Sequence, residues 1–402
     1  MDRPALSRRR LLQRGAAALP LLAIGSALSS PANANAVTSR NTATRENAAT
    51  PGAASPRPAA TPALSIPSET GSHTRTFMSW PALSSIWGRQ LAAVRTDVAN
   101  VARAIAGYEP VVLLARPDQA AAAQQACGSG VQVIEIPVDD LWIRDYGPTF
   151  VTGPGAIAGV DTNFNGWGDK QSPHDEDAAA TAAICARYGL SRVDAPLVTE
   201  GGALECDGQG TLLATVSSIV NPDRNPGLTQ AQVTQDLETT FGLRKVIWLA
   251  GLAGQDITDD HVDALARFSS PGHVILDNPG PSNPPGSTWY APYAQAKQAL
   301  SSATDAQGRS LTVVELPEPD YSKIRGRGSD FLASYTNFYT AGGAVFLPQY
   351  GDAKADAAAV SILREQFPGR DLVALDIDTI AGGGGGIHCA TQSQPVVPAS
   401  AS

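Results

Sequence analysis

The chain has 402 residues, 43% of them hydrophobic and 17% charged, with a formal net charge of −9 and four cysteines. That is ample for a large apolar core, too cysteine-poor for a disulfide scaffold, and acidic enough to argue against a nucleic-acid partner. No Cys-x-x-Cys or His-x-x-x-His spacing suggests a metal site.

The N-terminus reads as a targeting segment. Arg8, Arg9 and Arg10 precede a mild apolar run over residues 15–28 and a small-residue stretch ending at Ala36, the pattern of a twin-arginine (Tat) signal peptide over residues 1–36. The run is too short and too rich in Ala and Gly to make a stable membrane anchor. The Tat export machinery is therefore an expected partner, and the expected location is periplasmic or extracellular. Loss of this segment removes five arginines and one aspartate from a chain of charge −9, leaving −13, a surface that suits a small cationic substrate. Residues 37–63, rich in Ala, Thr, Pro and Ser, read as a disordered linker. Residues 64–395 are expected to be the catalytic domain and 396–402 a tail. The four cysteines, Cys127, Cys185, Cys206 and Cys389, leave room for one disulfide among the first three. Oligomeric state is open, a homo-oligomer included.

From Leu64 onward, strand and helix patterns alternate. Residues 76–80 read as a strand stopped by Pro81, 90–106 as a helix by apolar spacing, and 110–115 as a short buried strand. Residues 118–127 form an Ala/Gln-rich helix pattern, and 131–137 a strand. The rhythm repeats as helix 177–188, strand 211–220, helix 229–241 capped by Thr229, and strand 245–249. It continues through strand 273–276, helix 290–301 and strand 312–316. Strand 343–348, helix 352–366 and strand 371–377 complete it. About five such units without linkers predict one α/β domain, either a doubly wound sheet or a ring of similar modules.

Four polar, glycine-bearing segments lie between these units, where chemistry tends to reside. They are Asp139 to Pro148, with Trp142 and Asp145; Glu200-Gly201-Gly202; Asp256 to Asp263, with His261; and the five glycines 382–386 followed by Ile387-His388-Cys389. Five glycines suit a place where another molecule approaches the main chain. A thiol and an imidazole make an activated nucleophile and a general acid/base. His261-Val262-Asp263 is expected to be strand-like, which would turn His261 and Asp263 to one side. Several carboxylates around a thiol suit a planar cation: a guanidinium has five N–H donors, which two carboxylates can grip from both edges. Trp142 could stack on the cation or cover its alkyl chain.

These motifs resemble the agmatine deiminase family, which includes the porphyromonas-type peptidylarginine deiminases. The resemblance rests on Trp142-Ile-Arg-Asp145-Tyr-Gly-Pro, Glu200-Gly-Gly, Asp256-x-x-Asp259-x-His261-Val-Asp263 and Gly-Gly-Gly-x-Ile-His388-Cys389-x-Thr-Gln392. Met78-Ser-Trp80-Pro81, Asn221-Pro-x-Arg224-Asn225-Pro226, Ser334-Tyr-x-Asn337-Phe-Tyr339 and Leu347-Pro-Gln349-Tyr-Gly351-Asp352 extend it from residue 64 to 395. It implies a pentein fold, five ββαβ-type modules around a pseudo-fivefold axis with a central cavity. It also implies Cys389 as nucleophile, His261 as acid and base, Asp145 and Asp263 as guanidinium ligands, Trp142 as a cavity wall, Glu200 as a wall or supporting contact, and no metal or organic cofactor. The chain departs from the family in having Asp260 where Gly is usual, Gly386 where Asn is usual and Glu205 where His is common. Gly386 therefore joins Trp142 and Glu200 as a candidate substrate contact, while Asp260 and Glu205 add charge that favours a terminal amine. Arg325 and Arg327 are weak candidates for binding a substrate carboxylate.

The sequence thus predicts an exported cysteine-dependent guanidinium deiminase, with agmatine as first-choice substrate and N-carbamoylputrescine and ammonia as products. Peptidylarginine is the rival substrate. A non-catalytic exported binding protein for guanidino compounds or polyamines is the rival of another class, and the intact Cys389, His261, Asp145 and Asp263 weigh against it.

Overall fold

The computed structural model describes residues 64–400 apart from residue 327. The expected signal peptide and linker lie outside the described residues. Among the described residues no helix is long and apolar enough to cross a membrane.

Among the described residues, sixteen strands make five small, separate sheets. β1 (His73–Ser79), β2 (Val111–Ala115) and β3 (Val131–Glu135) open the first. β4 (Thr149–Gly153), β5 (Ala156–Asp161) and β6 (Ser191–Asp194) make the second, and β7 (Glu205–Cys206), β8 (Thr211–Thr215) and β9 (Lys245–Leu249) the third. β10 (Ala266–Ser270), β11 (His273–Asn278) and β12 (Thr312–Pro317) form the fourth; β13 (Tyr339–Ala341), β14 (Ala344–Gln349) and β15 (Asp371–Asp376) form the fifth. In sheets two to five, an antiparallel pair is followed by a helix that returns the chain to add a parallel strand. β16 (Gln392–Pro395) then pairs antiparallel with β1, setting Gln392 opposite Phe77 and Pro395 opposite His73. The end of the chain supplies the strand that the first module lacks. Separate sheets of three or four strands decide for the ring of modules over one doubly wound sheet.

Local sequence accounts for the long elements. Val94, Val98, Val101, Ala102 and Ile105 are the buried stripe of helix Leu91–Ala106, spaced to cover β2, all five of whose residues are buried. Helix Gln230–Phe241 begins with the expected Thr229, which forms a full capping box with Gln232. Helix Asp175–Tyr188 carries three acids in its first turn, where the helix dipole favours them.

Two expectations about local structure change. The strand at 211–220 stops at Thr215, and Val216–Ile219 is a helical turn. The Thr215 hydroxyl bonds the Ser218 hydroxyl at 2.7 Å and donates to the Asp260 carbonyl at 2.7 Å, so the hydroxyls bend the chain that their β-branched context would extend. The first strands of the hairpins, β4, β7, β10 and β13, and the closing β16 escape sequence reading, because two to five buried residues show no usable alternation. None of the four cysteines forms a disulfide, and all four are buried.

Since β16 completes the first sheet with residues from the end of the chain, deleting residues 392–402 should abolish cooperative folding. A thermal melt followed by circular dichroism checks this; an unshifted, sharp transition would count against the closure.

Candidate active site

The same place in each module, the loop just before its first hairpin strand, supplies the site. Asp145 precedes β4, Gly201 and Gly202 precede β7, His261 and Asp263 precede β10, Asn337 precedes β13, and His388 and Cys389 precede β16. Five loops separated along the chain thereby meet.

Asp145 sits in the helical turn Ile143–Tyr146, wholly buried. Its Oδ2 accepts from Trp167 Nε1 at 2.9 Å and its Oδ1 from the Gly202 backbone N–H at 3.1 Å. The loop that aims Trp167 is strained, with φ of 58° at both Asn163 and Trp167, and an aromatic residue rarely adopts that backbone without a reason. Trp142, two residues before Arg144, is buried and packs against Trp87, with ring centroids 6.2 Å apart.

His261 is not on a strand. It caps a short 3-10 turn, Val262–Ala264, entered through Asp259 and Asp260, both left-handed at φ 61° and 68°. Such backbone costs on the order of 1–3 kcal/mol per non-glycine residue, so something must hold it. Asp259 accepts from Arg224 Nη1 at 2.7 Å and Asn221 Nδ2 at 3.0 Å and pairs with Lys170. Its carbonyl accepts from the Ser217 hydroxyl at 2.7 Å. Arg224 also donates through Nε to Glu200 Oε1 at 2.6 Å, and Glu200 Oε2 lies 3.2 Å from His261 Nε2. Glu200, expected as a wall or a supporting contact, is thus the group that orients the imidazole. The other ring nitrogen, Nδ1, is 3.6 Å from Asp145 Oδ1. Burial by itself would lower the His261 pKa; Asp145, Glu200 and Asp263 outweigh it and raise it, which favours the protonated ring.

Gly202 shows how tightly these groups converge. A Cβ on it would stand 2.7 Å from Asp145 Oδ1, 2.7 Å from His261 Nδ1 and 3.1 Å from Asp263 Oδ2. Three reactive atoms surround the space a methyl group would fill, and only glycine leaves it open. Gly201 has an equally local reason, since a side chain there would collide with the Arg144 carbonyl.

Cys389 is buried, and its sulfur lies 3.4 Å from Asp263 Oδ2, a thiol-to-carboxylate hydrogen bond. Asn337 holds it twice, through Nδ2 to sulfur at 3.2 Å and by accepting the Cys389 N–H at 3.3 Å. Asp263 Oδ2 also meets His388 Nδ1 at 2.8 Å, and His388 Nε2 meets Glu69 Oε2 at 2.9 Å. Glu69 in turn binds Arg144 at 2.5 Å and Arg267 at 2.8 Å. Burial would raise Asp263, but the hydrogen bond from His388 and the charges of His388, His261 and Arg267 hold it well below the usual carboxylate range.

The structure therefore brings together Asp145, His261, Asp263 and Cys389, with Glu200 behind the histidine. Gly386 adjoins Asn337, since a Cβ there would be 2.5 Å from Asn337 Oδ1; it reaches the site through the amide that grips Cys389. The glycine run is also more structured than a flexible floor: Gly382 ends helix Asp378–Gly382, and Gly383 makes room for the Trp87 ring. Glu205, expected to add free charge, is committed to Arg267 at 2.6 Å and to the Phe268 N–H at 2.8 Å. Arg325 is paired with Asp378 at 2.8 Å and Asp376 at 3.0 Å. Sequence reasoning did not single out Glu69, Trp167, Arg224, Asn337 or His388. The last three stood inside quoted motifs; Glu69 had no signal, because a lone acid near a terminus is usually solvated. Among the described residues no cluster of His, Cys, Asp or Glu is arranged to hold a metal.

A sequence model of the Porphyromonas-type peptidyl-arginine deiminases matches residues 65–395. The chain belongs to that family. An agmatine deiminase of Stutzerimonas stutzeri is 36% identical over 357 residues, covering 82% of this chain and 95% of its own. Among solved structures, an agmatine deiminase of Enterococcus faecalis superposes with a TM-score of 0.77 at 31% identity, over 83% of this chain and 96% of that one. A substrate-bound agmatine deiminase of C. jejuni gives 0.73 at 25%, over 83% and 97%. The deiminase is accordingly a pentein, a guanidino-modifying hydrolase acting on carbon–nitrogen bonds.

Two variants test the geometry. Gly202→Ala should lower kcat by at least about 100-fold, the scale for misplacing reacting groups by an ångström, while the protein still melts cooperatively. Glu200→Gln removes one charge that raises the His261 pKa, so the alkaline limb of the kcat/KM–pH profile should move to lower pH. An unmoved limb would mean that Glu200 does not hold the proton on His261.

Proposed function

We propose that the deiminase hydrolyses agmatine to N-carbamoylputrescine and ammonia, with Cys389 as nucleophile. The observation that carries this reading is the convergence of Asp145, His261 and Asp263 around one point, with the Cys389 thiol on Asp263. A guanidinium there would give N–H donors to both carboxylates and present its central carbon to sulfur. The oxygen that would take the substrate, Asp263 Oδ2, is the one that now takes the thiol hydrogen. In this reading the incoming cation replaces that proton, which leaves to solvent, and sulfur becomes a thiolate as the substrate binds.

Sulfur then bonds to the guanidinium carbon. His261, held protonated between Asp145 and Glu200, donates to the departing nitrogen, and ammonia leaves an amidino-cysteine. The now neutral His261 takes a proton from water, whose oxygen attacks the same carbon. The carbon–sulfur bond breaks, returning the thiolate and giving the ureido product, and the excess proton leaves with ammonia as ammonium. Agmatine is favoured over peptidylarginine because the relatives named above are agmatine deiminases and because Arg325 is already paired with acids. The twin-arginine segment around Arg8 and Arg9 supports Tat export and a periplasmic or extracellular site of action.

Ammonia release from agmatine, free arginine and an arginine-ended peptide tests this. Agmatine should be the best substrate, and Cys389→Ser should lose at least about 10³-fold in kcat. Turnover of the peptide alone would overturn the substrate assignment, and full activity in Cys389→Ser the mechanism.

A further inference from the structure

Beside the catalytic loop lies a cavity of about 50 Å³ whose lining is acidic. Asp256, Asp260, Asp277, Glu318 and Asp330 face it, together with Trp289, and among the described residues lining it there is no Lys, Arg or His. Three of its lining residues stand next to, or close along the chain from, residues of the active site. Asp260 adjoins His261, Ala264 adjoins Asp263, and Gly384 belongs to the glycine run that leads to Cys389. Its volume would hold a group the size of a water molecule or an ammonium with part of an alkyl chain.

Asp260 is the informative member. Its residue is 6% exposed, and its Oδ2 has no hydrogen-bond partner. A buried carboxylate oxygen left unpaired is costly and uncommon. Nor does the backbone favour a side chain here, because φ is 68°, where glycine is at ease. The main chain is nevertheless pinned in that shape: the Asp260 N–H donates to Asp256 Oδ1 at 3.3 Å, and its carbonyl accepts from the Thr215 hydroxyl at 2.7 Å. Burial, with Asp256 and Asp277 adding repulsion, holds the Asp260 pKa well above the usual carboxylate range despite the attraction of His261 and a hydrogen bond from the Leu252 backbone N–H to the carboxyl. Burial likewise pushes Asp277 up to about 7, against hydrogen bonds from Ser334, Glu318 and Thr336. Carboxyls in this condition gain most from a cation that enters the cavity.

We propose that this cavity is a second cation subsite, in which Asp260 Oδ2 binds the terminal ammonium of the guanidino substrate and so selects α-amino-ω-guanidino alkanes. The inference rests on the deiminase reading above. The placement suits such a ligand: His261 and Asp263 front the guanidinium, and the residues on either side of them, Asp260 and Ala264, front the cavity. An extended chain of four methylenes sets its ammonium about 7 Å from the guanidinium carbon, about the reach of two extended residues. Asp256 adds negative field, and Trp289 offers an apolar face to the methylenes.

The test compares agmatine with n-butylguanidine, which lacks the ammonium, on wild-type protein and on Asp260→Asn and Asp260→Gly. Wild type should prefer agmatine by about 100-fold or more in kcat/KM, and both variants should lose at least tenfold of that preference, mainly through the KM for agmatine. Asp260→Gly relieves the backbone strain, so a loss of preference in it cannot be ascribed to misfolding. Putrescine, which carries ammonium groups alone, should inhibit wild type and inhibit the variants at least tenfold less. A preference unchanged in both variants, or a wild type indifferent to the ammonium, would overturn the subsite and leave the deiminase reading standing. Ammonia released by wild type from neither compound would overturn that reading instead, and the subsite with it.

Discussion

The atom on which this structure depends is Asp263 Oδ2. It takes the Cys389 thiol at 3.4 Å and His388 Nδ1 at 2.8 Å, and it borders the space kept open by Gly202. An isolated carboxylate buried like this would neutralise itself. Here it stays ionised because His388 abuts it, and His388 is backed by Glu69, which is itself held by Arg144 and Arg267. Residues from the start of the domain, from two of its modules and from its end thus belong to one buried ionic network. Breaking such a network at one partner leaves an uncompensated charge and costs about 3–5 kcal/mol. Closure of the ring by β16 and ionisation of the catalytic acid are in this sense the same requirement.

A second ionic group does the mechanical work on the opposite side of the histidine. Arg224 spans Glu200 and Asp259 with both carboxylates buried, and Lys170 and Asn221 complete the shell around Asp259. This cluster sustains two consecutive left-handed residues, and the turn they form delivers His261 and Asp263 to the site while directing Asp260 away into the acidic cavity. One strained loop therefore serves both ends of the ligand. Glu200 takes part in both tasks, orienting the imidazole and anchoring Arg224, which is why its replacement should register in proton affinity.

Much of this was legible in the chain. The converging residues Cys389, His261, Asp145 and Asp263 stand in loops dense with glycine and acid, and helices with clear apolar stripes or caps, such as Leu91–Ala106 and Gln230–Phe241, emerge near their observed bounds. What was hidden has specific causes. β7 is two residues long and β13 three, too short for any period to show. His261 to Asp263 looked extended because alternation alone cannot reveal a left-handed entry at Asp259 and Asp260. Glu205 looked like a free charge because its partner Arg267 lies 62 residues away.

The sequence by itself determined the chemistry: a thiol, an imidazole and paired acids in loops, on a succession of α/β units with a matching family resemblance. Those properties depend on residue identity and short-range spacing, which a linear chain displays. Tertiary structure alone decided which acid performs which task. It set Glu200 behind His261 and Asp263 against the thiol, committed Glu205 to an arginine, and left Asp260 Oδ2 unpaired at a cavity. The reason is that a buried carboxylate is defined by its partners, and here those partners come from other modules, brought within hydrogen-bonding distance only when the ring closes.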